Sequence, residues 1–264
     1  MTVRLIDAYT GFGGIAPGER EHLPLDEMRA YLAELDIDGA LARTVPEDME
    51  RDWLSANDIL YRLCGEHDGL IPCPVLIPPT AGDYPPEHEQ VDRALAGGAG
   101  AVQLRPKADN WPILDWVCRP LIQALQERRV PVFLHERDLP LADVPFGDAH
   151  SGVPLAATAD LAGAYPDLPI ILAGFHYSLM RTLLPLMRTF RNVHMTTGYN
   201  FAVHRGLEHL VRELGPEQIL FGTGFPVAEP AMYVTQLMYA DIADDARAAI
   251  GSGNLDRLMK GIVR

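Results

Sequence analysis

At 264 residues the chain can form one large domain or two small ones, and a single α/β barrel by itself uses about 250. Lys and Arg number 22 against 36 Asp and Glu, a net charge of −14, which repels nucleic acid and acidic membrane surfaces and excludes polyanions as expected partners. The three cysteines (Cys64, Cys73, Cys118) form no CxxC pair, and no run approaches the roughly 18 apolar residues of a membrane span, so the expected setting is cytoplasmic, with reduced thiols and no membrane partner.

From the amino end, short β-like runs recur at residues 3–9, 39–44, 71–77, 101–105, 130–135, 169–174, 192–197 and 218–223. Between them lie apolar residues at helical spacing: Leu25, Met28, Leu32 and Leu35; Leu54, Ile59, Leu60 and Leu63; Trp116, Leu121, Ala124 and Leu125; Leu183, Leu186, Met187 and Phe190; Leu207, Leu210 and Leu214. Eight strand-and-helix units in 264 residues take about 33 residues each, which predicts one (β/α)8 TIM barrel over residues 1–264 in preference to a doubly wound sheet. Gly97-Gly98 and Gly215-Pro216 stop helices just before strands. Pro120 and Pro185 are expected to mark a helix start and a kink, and residues 241–250 and 254–261 to form terminal helices.

The fifth run is the one to which chemistry attaches. Val132-Phe133-Leu134 is apolar throughout, as in a strand buried on both faces, and breaks off at His135 and Glu136. Working groups of parallel sheets collect at the carboxyl ends of the strands, which makes His135 a candidate acid or base; its alternative is a hydrogen-bonded structural histidine. The polar loops that leave the strands, at 11–24, 78–86 and 136–154, belong to the same end, and the last is expected to act as a lid. Gly11-Phe12-Gly13-Gly14 does not open a dinucleotide fingerprint, and neither a P-loop nor a Gly-x-Ser-x-Gly elbow occurs.

Several segments resemble the amidohydrolase superfamily, in its amidohydrolase-related branch of metal-dependent hydrolases and decarboxylases. Leu5-Ile6-Asp7-Ala8-Tyr9-Thr10-Gly11 is similar to the family's first-strand Ile-Asp-x-His-x-His, and Leu220-Phe221-Gly222-Thr223-Gly224-Phe225-Pro226 to its eighth-strand Leu-Phe-Gly-Ser/Thr-Asp-Tyr/Phe-Pro. Val132-Phe133-Leu134-His135 resembles the fifth-strand segment, Ile170-Ile171-Leu172-Ala173-Gly174-Phe175-His176 the sixth, and Gly253-Asn254-Leu255-Asp256-Arg257-Leu258 the closing motif. The resemblance implies an amidohydrolase-like barrel whose metal-ligand positions here read Tyr9, Gly11, His135, Gly174 and Gly224. Only His135 is a ligand type, whereas a catalytic zinc normally takes three protein ligands, so no metal and no other cofactor is expected. The remaining route to zinc is a rebuilt site of Asp7, His135 and His176, with Asp7 on the face of Tyr9 but about 6.6 Å deeper along the strand.

The expected catalytic set is therefore His135, Tyr9 and Asp7. Tyr9 either donates to a substrate oxygen or fills the volume a metal would take. Arg105 and Arg43 are expected to bind a substrate carboxylate by bidentate forks, with His176 and Thr223 near the ligand; pairing with Asp or Glu is the competing account of each arginine. His194 is read as a core histidine, and Thr196 and Thr197 as hydroxyls near a strand end. The resulting expectation is a hydrolase or carbon–carbon lyase acting on a small carboxylate, lactone or amide without the family's metal. Its rival is a catalytically silent barrel that binds a small ligand or a protein partner, and homo-oligomerisation is left open.

Overall fold

Strands and helices alternate along the whole chain in the computed structural model, which describes residues 3–12, 25–44, 52–106, 109–135, 155–175, 177–198, 204–226 and 228–264. The strands are β1 (Leu5–Phe12), β2 (Ile37–Thr44), β3 (Leu70–Pro72), β4 (Val102–Leu104), β5 (Val132–His135), β6 (Ile170–Ala173), β7 (Val193–Thr196) and β8 (Ile219–Leu220). The helices following them are α1 (Leu25–Glu34), α2 (Trp53–Glu66), α3 (Glu87–Ala96), α4 (Asp115–Glu127), α5 (Leu155–Ala164), α6 (Met180–Thr189), α7 (Gly206–Leu214) and α8 (Pro230–Tyr239). A short helix α9 (Asp244–Ala248), a π-helical turn at Ala249–Gly253 and α10 (Asn254–Lys260) complete the described chain.

All strand pairs are parallel, in the orders β1-β2-β3 and β4-β5-β6-β7-β8. Backbone hydrogen bonds stitch the two arcs at both seams. Gln103 N–H donates to the Pro74 carbonyl (2.8 Å) and Leu76 N–H to that of Gln103 (3.1 Å). On the other side Ala8 N–H donates to Phe221 O (2.9 Å), Gly11 N–H to Phe225 O (2.8 Å) and Gly224 N–H to Tyr9 O (2.8 Å). The strand order thus runs around a ring, as the (β/α)8 expectation requires.

Alternation along each strand sorts the apolar residues into two layers. Ile6, Leu41, Cys73, Phe133, Ile171 and Leu220 fill the ring from inside, while Val102, Val132, Leu134, Ile170, Leu172 and Val193 face outward against the helices. Burial on both faces is why these strands read as unbroken apolar runs.

Several sequence expectations shift. Three helices, α3, α5 and α8, are not marked by leucine-rich spacing. In α3, Val91, Ala94 and Leu95 are the apolar residues that reach the core, and α5 is half alanine. Pro120 lies inside α4, which begins five residues earlier at Asp115, and Pro185 lies inside α6; each ring forgoes one helical hydrogen bond without ending the helix. The segment 136–154, expected to be a lid, lies outside the described residues.

Candidate functional site

The period of two delivers three side chains to the carboxyl end of the ring. Leu41 points inward, so Arg43 does too, one layer higher; by the same step Phe133 leads to His135, and Ala101 and Gln103 lead to Arg105. Tyr9 arrives differently. The β1–β2 register slips between Asp7 and Thr10, and this irregularity lets Tyr9 join Ile6 and Ala8 in the inner cluster.

These side chains meet. The Tyr9 and His135 rings lie 5.4 Å apart between centroids, and His135 stacks on Phe133 at 6.0 Å. The Arg43 guanidinium sits 4.3 Å over the Tyr9 ring, and that of Arg105 sits 4.9 Å over the ring of Trp53. Trp53 donates its Nε1–H to Asp109 Oδ1 at 3.1 Å. Tyr9, Arg43, Arg105 and His135 are all buried, so the charges here act in a low dielectric. Trp53 and Asp109 were not marked by the sequence: Trp53, the first residue of α2, reaches Arg105 from another unit of the ring, and Asp109 lies in the loop after β4, four residues past Arg105.

Asp7 is placed otherwise than strand alternation predicted. It does not share the face of Tyr9; it turns toward β8, accepting the N–H groups of Tyr9 (2.8 Å) and Thr223 (3.0 Å) at one oxygen and the Thr223 hydroxyl at the other. Thr223 in turn accepts the Phe225 N–H at 3.1 Å. The two residues expected to face a ligand are thus engaged with each other across the β8–β1 seam. Burial pushes the Asp7 carboxyl above the usual carboxylate range, while hydrogen bonds from Thr10, Thr223 and the backbone oppose that rise. A seam clamp makes a specific prediction. Asp7→Ala orphans buried donors and is expected to lower unfolding free energy by about 2–4 kcal/mol, whereas Asp7→Asn, which keeps one accepting oxygen for both N–H groups, costs about half as much or less. Urea denaturation of the two variants measures this, and equal losses would refute the clamp.

The same end of the ring is where a divalent metal would have to sit, and the donor set among the described residues does not fit one. Among the described residues, no group of three or more His, Cys, Asp or Glu side chains is arranged to hold an ion. At the eighth-strand aspartate position Gly224 has φ of 80°, and at the sixth-strand position Gly174 has 74°, a region where an L side chain is strained. Gly222 packs so closely that a Cβ there would come within 3.0 Å of the Cβ atoms of both Tyr9 and Thr196. His176 lies outside the described residues.

The remaining polar groups support the frame. Thr197 Oγ1 donates to Gly222 O and accepts the Gly222 N–H, both at 3.1 Å, tying β7 to β8. His194 is buried inside β7, where burial pulls its pKa down to about 3, with the Arg257 charge acting in the same direction.

Comparison with known proteins gives one sequence-level match and many structural ones. No curated protein matches the chain. Solved structures that are similar include an uncharacterized TIM-barrel protein from Bordetella bronchiseptica (17% identity, 99% of this chain and 100% of the other, TM-score 0.74). Another is 2,6-dihydroxybenzoate decarboxylase from Rhizobium (18%, 98% and 99%, TM-score 0.74). A third is 5-carboxyvanillate decarboxylase from Novosphingobium aromaticivorans, complexed with manganese and 4-hydroxy-3-methoxy-5-nitrobenzoic acid (15%, 98% and 96%, TM-score 0.76). At these identities the likeness establishes the barrel. The amidohydrolase family model matches residues 16–258, nearly the full length, and the chain therefore belongs to the amidohydrolase family.

Proposed function

We propose that this protein is a hydrolase or carbon–carbon lyase of a small carboxylate, working without a divalent metal. The observation that carries this reading is the convergence of a histidine, a phenol and two buried guanidinium groups at one end of the barrel, in a chain whose net charge is −14. Guanidinium groups are poor company for each other and good company for carboxylates, to which they bind bidentately. Aromatic carboxylates are what the two decarboxylases of the same fold are named for, which favours the lyase version here.

In that version the substrate carboxylate is held by the guanidinium groups of the mouth, Arg105 and Arg43. The C–C bond breaks with its electron pair left on carbon, carbon dioxide departs, and protonated His135 supplies the proton to that carbon. In the hydrolytic version neutral His135 takes a proton from water as its oxygen adds to a carbonyl, the Tyr9 phenol donates to the oxyanion, and collapse of the adduct breaks the bond to the leaving oxygen or nitrogen, which receives the proton back from His135. Asp7 and Thr223 hold β1 against β8, keeping Tyr9 in place. Acid–base help of this kind is worth about 10²–10⁴-fold, which calls for an activated substrate.

The test is a panel of hydroxybenzoates, lactones and aryl esters offered to protein purified without chelator, with metal content measured on the same sample. Carbon dioxide release from a hydroxybenzoate at substoichiometric metal is the expected result. Stoichiometric zinc or manganese would sink the metal-free part. Absence of turnover, with benzoate still raising the melting temperature, would instead favour a ligand-binding barrel.

A further inference from the structure

We infer that the Arg43 guanidinium, held on the ring of Tyr9, is a fixed cation that takes over the electrostatic work of the missing metal and makes the mouth a metal-independent site for a planar carboxylate. This rests on the small-carboxylate reading above and adds which group supplies the charge.

Arg43 is 7% exposed, and its guanidinium has no carboxylate or hydrogen-bond partner among the described residues; its Nε is buried without one. Leaving a charged group in that state is costly, and a desolvated cation–π contact offsets only part of the cost. The molecule shows what a structurally employed arginine looks like. Arg247 donates Nε–H to Leu237 O (3.2 Å), Nη2–H to Ala240 O (2.8 Å) and Ile242 O (3.3 Å), and Nη1–H to Asp244 (2.6 Å), closing the end of α8 onto α9. Among the described residues Arg43 has none of this, although acidic residues are in excess in the chain.

Its location is the second part of the argument. Arg43 pairs in register with Gly11, and its charge stands over Tyr9; these are the two positions at which the first-strand motif would carry histidines. At the eighth-strand aspartate position Gly224 offers no side chain, and its N–H is already donated to Tyr9 O. A cation has thus been kept and its donors exchanged. A guanidinium differs from a metal ion in a way that constrains the ligand. It presents a flat fork of N–H groups and cannot activate water as a Lewis acid, so it suits a carboxylate or an enolate oxygen more than an attacking hydroxide. The contact with Tyr9 holds the guanidinium at the mouth, and a planar aryl carboxylate can meet its fork of N–H groups.

The decisive measurement is calorimetric titration of benzoate into chelator-treated, metal-verified protein, with 2,6-dihydroxybenzoate and acetate as companion probes and with manganese or zinc added back. Wild-type protein is expected to bind an aryl carboxylate one-to-one, with less than a twofold change on adding metal. Arg43→Lys, which keeps the charge and loses the fork, is expected to weaken binding at least tenfold. In Arg43→Ala, free ethylguanidinium is expected to restore part of the loss, which a purely structural arginine would not allow. Binding that appears only with metal, or that Arg43→Lys leaves intact, overturns the inference and leaves the carboxylate reading standing. Failure of every probe to bind, with or without metal, overturns both. If the variants do not fold, the metal add-back on wild-type protein still decides between the outcomes.

Discussion

Turnover of a hydroxybenzoate by the His135→Gln protein is expected to fall by about 10²–10⁴-fold, the value of general acid–base catalysis at one group. His135 ends β5 on the inner face, stacked on Phe133 and beside Tyr9, with a surface almost wholly covered. Glutamine fills most of that volume and keeps a donor and an acceptor, so the packing survives while proton transfer near neutral pH is lost. The variant should therefore melt close to wild type and bind benzoate within a few-fold. An unchanged pH–rate profile together with unchanged turnover would remove His135 from the chemistry. A large loss of stability would return it to the frame.

Acid sensitivity of the fold is expected to trace to a different histidine. His194 lies within β7, with a pKa drawn down to about 3 by burial, against 6.5 for an exposed imidazole. The folded form excludes the proton that the unfolded chain accepts. The unfolded state therefore binds more protons between pH 6.5 and 3, and stability is complete above 6.5 and declines as pH falls through that window. At 1.36 kcal/mol per pH unit the loss from this one group is on the order of 3 kcal/mol at pH 4. His194→Gln should be somewhat less stable than wild type at pH 7.5 and lose much less between pH 6.5 and 4. Urea denaturation of both proteins across that range checks it, and parallel curves would show that other groups dominate. Asp7 works in the opposite sense. Its folded pKa is raised by burial, so its penalty sets in as pH climbs through the carboxylate range and is relieved on acidification. The two groups are distinguishable in one pH series.

How far the sequence reaches can be seen at particular residues. His135 was legible because a four-residue apolar strand that stops at a polar group marks the working end of a parallel sheet, and periodicity in β2 and β4 placed Arg43 and Arg105 at the same level. Asp7 was misjudged because alternation by two assumes an unbroken ladder, and the slip between Asp7 and Thr10 depends on how β1 meets β2 and β8. Helices α3, α5 and α8 escaped notice because a helix needs only a narrow apolar stripe to dock on a barrel, here Val91, Ala94 and Leu95 in α3, Leu161 and Ala162 in α5, and Tyr233 and Leu237 in α8.

What the sequence determined by itself is the architecture: eight buried strands with intervening helices and one apolar interior. Composition and spacing are local properties, written along the chain, and they suffice for that. Tertiary structure decided the pairings: Arg43 on Tyr9, Arg105 on Trp53, and Asp7 clamped to Thr223 across a seam 216 residues apart in sequence. Such contacts depend on which strands are neighbours and on a one-residue register shift, and neither distance nor direction between side chains from different strands is encoded before the ring closes.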